Sequence, residues 1–284
     1  MDKVVVVTDS TSNLPSDVVS NLGIPIIPLK VHWSDETYID GVTLDSEQFY
    51  QWLQEREDFP STSQPSAGEF VTFFESVAEK HPSATILGVF ISSELSGTWL
   101  SANQAKAMLP EINIQIVDSR SVSLGLGFQV IAAHQLAQDD VPLDDIVAHI
   151  QRVRDNTSLV FTVDTLEYLH RGGRIGGAAR LLGSALNLKP LLTIEDGRVE
   201  VLEKIRSRGK AIQRMLKLAE ETLDGQRPVA AGIIDVDAAN VAEEVTAEVM
   251  KRLKPKQFYR TAVTPVVGGH AGPGTIGLGF YTEV

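Results

Sequence analysis

The chain of 284 residues contains no cysteine. That excludes a disulfide framework, a thiol nucleophile and a cysteine-ligated metal. Long hydrophobic runs are missing too. No apolar stretch reaches the roughly 18 residues of a bilayer-spanning helix, and Met1-Asp2-Lys3 leads directly into Val4-Val5-Val6-Val7 without the extended apolar region of a signal peptide. A soluble, cytoplasmic protein is expected, with no stable membrane insertion. Positive charge is in short supply: 25 Lys and Arg stand against 37 Asp and Glu, a net charge of -12. Nucleic acid and anionic membrane surfaces both reward clustered positive charge, so neither is expected as an obligate partner. Common catalytic signatures are absent as well. There is no Gly-x-x-x-x-Gly-Lys-Ser/Thr phosphate loop, no Gly-x-Ser-x-Gly elbow and no pair of histidines at metal-ligand spacing. No metal and no cofactor are expected.

What is present is a repeated unit of apolar strand, hydroxyl-rich loop and helix. Residues 85–91 form a β-branched apolar run, followed by Ser92-Ser93-Glu94-Leu95-Ser96-Gly97-Thr98 and a helix over 99–109 stopped by Pro110. Such a unit can hold an anionic group at the carboxyl end of a sheet, where hydroxyls and helix N–H groups converge. The same residues can also be an ordinary helix cap. The loop holds no Lys or Arg, which favours a weakly charged group such as a carboxylate over a nucleoside triphosphate. Residues 4–7 with Thr8-Asp9-Ser10-Thr11-Ser12-Asn13 and a helix over 14–22 repeat the arrangement. Residues 24–31 read as an edge strand because of Pro25 and Pro28. A helix over 45–55 precedes a stiff loop, Pro60-Ser61-Thr62-Ser63-Gln64-Pro65-Ser66. Ser66 and Glu69 form a capping box for a helix over 67–80. A strand over 112–117 and helices over 124–138 and 143–156 complete an alternating pattern, which implies a mostly parallel sheet.

Beyond residue 156 the pattern changes. A strand over 159–163 leads to a short helix that ends in a glycine- and arginine-rich loop, His170-Arg171-Gly172-Gly173-Arg174-Ile175-Gly176-Gly177, and a small-residue helix is expected over 178–186. Asp196-Gly197 between residues 189–195 and 198–204 is a strong hairpin signal. A helix over 207–223, a strand over 229–235, a helix over 238–253 and a strand over 257–263 follow, then a glycine-rich tail carrying His270. The expected fold is α/β with two domains. Residues 1–156 form a mostly parallel sheet with flanking helices, residues 157–284 form a mixed or antiparallel sheet with helices, and a ligand lies between them.

His270 sits in a glycine loop rather than on a periodic face, unlike His32, His81, His134 and His149, which makes it a candidate to line a site. A serine-dependent acyl hydrolase using Ser93 or Ser96 with His270 as base is one reading; a sugar- or phosphate-binding enzyme is another. Arg171, Arg174, Arg180, Arg206 and Arg208 stand out in an acidic chain. They are either solvated surface charge or a local patch that docks an acidic partner or a phosphorylated product.

Taken in order, Asp9-Ser10-Thr11 with Leu14-Pro15, Thr62-Ser63-Gln64-Pro65-Ser66, Ile91-Ser92-Ser93 with Leu95-Ser96-Gly97-Thr98, and Asp118-Ser119 resemble the motifs of the DegV family. So do Tyr168-Leu169 with Arg171-Gly172-Gly173-Arg174-Ile175, Asn187-Leu188-Lys189-Pro190, Asp196-Gly197, Arg206 and Arg208, and Gly269-His270 with Gly272-Pro273-Gly274. That family includes the fatty-acid-binding subunits of bacterial fatty acid kinase. The resemblance implies a non-catalytic protein that encloses one long-chain fatty acid in an apolar tunnel between two domains. A separate ATP-dependent kinase protein would phosphorylate the bound carboxylate, and the acyl phosphate would enter phospholipid synthesis. By motif, Thr62 and Ser93 become the carboxylate ligands with His270 nearby, and Ser63 and Ser96 are further ligand-binding candidates. Arg171, Arg174 and Arg206 become the partner-docking residues. Glu94 and Gly176-Gly177 depart from the family pattern, which usually has glycine at the first position and a polar residue at the second. A buried methylene contributes roughly 0.8 kcal/mol, so the tail would supply most of the affinity and uncharged donors could suffice for the head group.

Overall fold

The structure, a computed structural model, describes residues 3–183 and 188–283. The first half alternates as expected: β1 (Val4–Asp9), α1 (Ser16–Leu22), β2 (Ile26–Ile27), β3 (Lys30–Trp33), β4 (Glu36–Ile39), α2 (Ser46–Glu55), β5 (Ser61–Ser63), α3 (Ala67–Lys80), β6 (Thr85–Phe90), α4 (Thr98–Met108), β7 (Ile114–Asp118), α5 (Leu124–Gln138) and α6 (Leu143–Asp155). β2-β1-β6-β7 form a parallel sheet. The capping box of α3 is formed, Ser66 and Glu69 each accepting from the other's backbone N–H. The run expected as one strand over 24–31 is split by its prolines into β2 and β3. β3 belongs to a separate antiparallel sheet, β4-β3-β5. β5 is the proline-flanked segment expected as a loop, and it pairs Thr62 with Val31 and Ser63 with Lys30.

The second half adds β8 (Thr157–Thr162), α7 (Glu167–Arg171), β9 (Leu191–Glu195), β10 (Arg198–Glu203), α8 (Arg208–Leu223), β11 (Ala230–Asp235), α9 (Ala239–Arg252), β12 (Gln257–Ala262), α10 (Pro265–Ala271) and β13 (Ile276–Tyr281). They build a six-stranded mixed sheet in the order β10-β9-β8-β13-β11-β12. The β9–β10 hairpin turns at Asp196 and Gly197, both with positive φ, as its turn chemistry requires. Two parts of the glycine-rich tail are regular structure: residues 265–271 are helix α10, and residues 276–281 are β13, a central strand. Residues 176–181 form a 3₁₀ helix followed by a turn at 182–183, and residues 184–186 of the small-residue helix expected there lie outside the described residues, as does Asn187.

The six-stranded sheet has two different faces. Val160, Leu278, Phe280, Ala231 and Ile233 point to one core, packed with Met215, Leu216 and Ala219 of α8 and with Ala242, Val245 and Val249 of α9. The opposite face looks toward the first half. There α5 is buried at every position from Leu124 to Ala133, the signature of a helix enclosed on all sides. It packs against both β1 and the six-stranded sheet. Because α5 covers only part of that face, a space remains beside it.

Candidate functional site

That space is a cavity of about 860 Å³, counted out to its solvent-open part. Its walls are mostly apolar: Leu29 and Ile91 from the first half, Leu159, Phe161, Ile194, Val199 and Ile234 from the six-stranded sheet, Val236 just beyond β11, and Val263, Val266 and Val267 around the start of α10. Polar groups gather where β5 faces α10 and the 172–174 loop. Thr62, Ser63, Gln64, Ser96, Arg174 and His270 all line the cavity there.

Local sequence explains their placement. Pro60 and Pro65 hold β5 between stiff ends, and its pairing with β3 sets Thr62 opposite Val31. Thr62 Oγ1 and His270 Nε2 lie 2.8 Å apart, joining the two halves across the cavity. His270 Nδ1 is buried and has no hydrogen-bond partner. Gly172 makes that placement possible, because a Cβ there would lie 2.1 Å from His270 Nδ1. Burial, and then the nearby Arg174 guanidinium, push the imidazole down to about 4, so it is neutral at physiological pH. Ser63 Oγ bonds His32 Nε2 at 2.7 Å, and Ser96 Oγ lies 2.8 Å from Thr98 Oγ1.

Two residues stand elsewhere than the motifs suggest. Ser93 does not line the cavity. It is exposed, and its Oγ donates to Asp118 Oδ2 at 2.6 Å. The neighbouring Ser92 is the buried one, donating to the carbonyl of Gly197 at 2.8 Å. Arg174, expected on a docking face, lines the cavity instead. Its Nε donates to the carbonyl of Leu95 at 3.0 Å and its Nη1 to that of Gly172 at 2.8 Å. The polar end of the cavity therefore contains a cation, contributed by the second half of the chain, although the loop 92–98 has none. Arg171 stacks its guanidinium 4.1 Å from the Phe59 ring centroid and pairs with Glu167, whereas Arg206 is exposed.

Gln64, Thr11, Ser123 and Thr275 also line the cavity and were not singled out as ligands from the sequence. Gln64 was within reach, since it shares the proline-bounded segment with Thr62 and packs against Gly97, where a Cβ would lie 2.9 Å from its Nε2. Thr11 Oγ1 donates to Asp9 Oδ1 at 2.5 Å, and Asp9 Oδ2 accepts from Ile91 N. Asp9 is fully buried, and desolvation raises its carboxyl to about 6 against these stabilising bonds. Among the described residues no group of His, Asp and Glu could hold a metal ion, and no helix is long and apolar enough to cross a membrane.

The profile of the family described as "Uncharacterised protein, DegV family" matches residues 3–283. The chain belongs to the DegV family. A DegV domain-containing protein of Halalkalibacterium halodurans is 35% identical over 283 residues, with both chains fully covered. Among solved structures, a DegV family protein from Thermus thermophilus, described for its fatty acid binding, is 34% identical with a TM-score of 0.93, over 99% of this chain and 100% of that one. DegV of Bacillus subtilis, described as a fatty acid binding protein, is 31% identical with a TM-score of 0.90, each chain covered in full. The α/β architecture with one parallel and one mixed sheet is thus a DegV architecture.

Proposed function

We propose that this DegV protein encloses one long-chain fatty acid in the cavity between its two sheets and presents the carboxylate to a separate ATP-dependent kinase protein for acyl-phosphate formation. The observation that carries the reading is the make-up of the cavity: mostly apolar walls along the six-stranded sheet, and a cluster of Thr62, Gln64, Ser96 and Arg174 beside a neutral His270. The fatty acid binding described for the relatives supports it. In this reading the tail supplies the affinity. Thr62 and Ser96 hydroxyls, the Gln64 amide and the Arg174 guanidinium orient the carboxylate. Ser63, tied to His32, supports the edge of that group. His270 fixes Thr62 rather than titrating.

The protein itself acts as a carrier. A hydrolase would need a serine held by His270, but the partner at His270 Nε2 is Thr62, Ser96 faces Thr98, and Ser93 faces Asp118. Arg171 and Arg206 are the residues proposed to meet the kinase. Residues 1–156 and 157–284 are proposed as the two domains that close on the lipid.

Organic extraction and mass spectrometry of the purified protein test this first. A co-purifying long-chain fatty acid is the expected result; a protein that neither carries nor takes up any fatty acid contradicts it. In a reconstituted assay, Arg206→Ala should slow acyl-phosphate formation at unchanged fatty-acid affinity, whereas Arg174→Ala should lower the affinity itself, by roughly tenfold for a lost charge-assisted hydrogen bond.

A further inference from the structure

The face of the six-stranded sheet that borders the cavity is built in cross-strand rows, and the rows differ in what covers them. In one row Phe161, Gly277 and Ile234 stand side by side on β8, β13 and β11. Phe161 and Ile234 line the cavity, and both lean over the bare backbone of Gly277, where a Cβ would lie 2.7 Å from Ile234 Cγ1 and 3.2 Å from Phe161 Cβ. Two residues further along the strands, the next row is Leu159, Gly279 and Gly232. Leu159 still lines the cavity, but the two glycines form a notch that α5 fills. A Cβ at Gly232 would lie 2.6 Å from Leu124 Cδ1, and one at Gly279 would lie 3.3 Å from Leu124 Cβ, 3.3 Å from Phe128 Cε2 and 3.6 Å from Leu159 Cδ1.

The notch therefore adjoins the cavity wall at Leu159 and is filled from the other side by Leu124 and, over Gly279, by the Phe128 ring. Leu124 is completely buried and follows directly on Val122 and Ser123, which line the cavity. Thr275 and Val236 lie toward the polar end, so the run from Thr275 to Gly279 carries the apolar floor about 14 Å from head to notch. We infer that Leu124, which stands one layer behind the cavity wall on the Gly232–Gly279 notch, backs Leu159 at the far end of the cavity and so sets the length of acyl chain the protein accepts. The inference rests on the fatty-acid reading above and adds to it the residue that selects among fatty acids.

The test is a binding series on the full chain with saturated straight-chain fatty acids that differ by two carbons. Each methylene that gains or loses a buried place changes affinity by about fourfold. Leu124→Ala opens the notch beside Leu159 and should move the preferred length up by one step, with the ratio of long- to short-chain affinity rising by about fifteenfold. Gly279→Ala works in the opposite direction. Its new methyl, at ordinary φ, meets Leu124, Phe128 and Leu159 at 3.3–3.6 Å and should press Leu159 toward the cavity and favour shorter chains. Leu216→Ala, in the separate core behind the sheet, loses the same atoms and should keep the wild-type length profile.

If Leu124→Ala proves too unstable to purify, Gly279→Ala decides. A length profile unchanged in a folded Leu124→Ala, or in Gly279→Ala when it stands alone, overturns the inference. So does a Leu216→Ala variant whose profile moves as far. Wild-type protein that binds no member of the series overturns the fatty-acid reading itself, and the two failures are told apart by that one control.

Discussion

Two of the places where the two halves of the chain meet are of opposite character. Around residues 263–270 the contact is buried and specific. Tyr50 Oη donates to the carbonyl of Val263 at 3.0 Å, Ser46 Oγ donates to the same carbonyl, Val266 N donates to Asp40 Oδ1, and Asn13 Nδ2 donates to Thr264 Oγ1. At the β9–β10 hairpin tip the contact is mostly surface charge. Arg120 pairs with Asp196 and Arg198 with Glu94, all four exposed, and one buried bond from Ser92 to Gly197 lies beneath. Buried bonds are costly to leave unmade, whereas exposed ion pairs contribute little and are screened by salt. The first contact thus acts as the fixed side of the cavity and the second as its looser side.

The largest effect should come from breaking the fixed side. A Cβ at Gly268 would lie 2.0 Å from Tyr50 Oη, so Gly268→Ala must displace the tyrosine and its bond. A loss of about 3 kcal/mol or more in denaturant unfolding is expected; a wild-type midpoint would show the seam to be compliant.

The next effect is pH-dependent and carries two opposite signs. His270 has its proton affinity lowered from 6.5 to about 4 in the fold. Between those values the unfolded chain binds the proton more tightly, so stability falls as pH drops from 6.5 toward 4. Asp9 is raised from 3.8 to about 6. Here the folded chain binds the proton more tightly, so stability rises as pH drops from 6 toward 4. Each is worth about 3 kcal/mol over its window, and the two largely offset. Relative to wild type, His270→Gln should therefore shift toward greater stability on acidification from pH 6 to 4, and Asp9→Asn toward lower stability, as read by thermal unfolding across that range. Parallel slopes in the two variants would contradict the assignment.

The smallest effects belong to the hairpin tip. Ser92→Ala, which strands a buried carbonyl, should cost about 1 kcal/mol. Glu94→Gln should cost less than about 0.5 kcal/mol and nothing measurable at high salt. If Glu94→Gln exceeded Ser92→Ala, the tip would be an electrostatic clasp rather than a loose edge.

Much of this architecture could be read from local signals. The capping box of Ser66 and Glu69, the Asp196-Gly197 turn and the β6–loop–α4 unit are each written within a few adjacent residues, and each forms. Thr62 and His270, which stand in a proline-bounded hydroxyl segment and a glycine-rich tail, both line the cavity. What escaped depends on distant partners. β13 was hidden because Gly277 and Gly279 dilute its apolar pattern, and those glycines make sense only against Ile234, Phe161 and Leu124. Ser93 and Ser92 are indistinguishable by type; Asp118 draws one outward and Gly197 holds the other inward. Arg174 looked like surface charge because its partner, the Leu95 carbonyl, comes from the other half of the chain.

The most direct measurement is a crystal structure with a saturated long-chain fatty acid bound. The carboxylate should lie within hydrogen-bonding distance of Thr62 Oγ1, beside Arg174, with the tail running over Gly277 toward Leu159. A carboxylate bound at Ser93 and Asp118, or a lipid outside the space between the two sheets, would contradict the account.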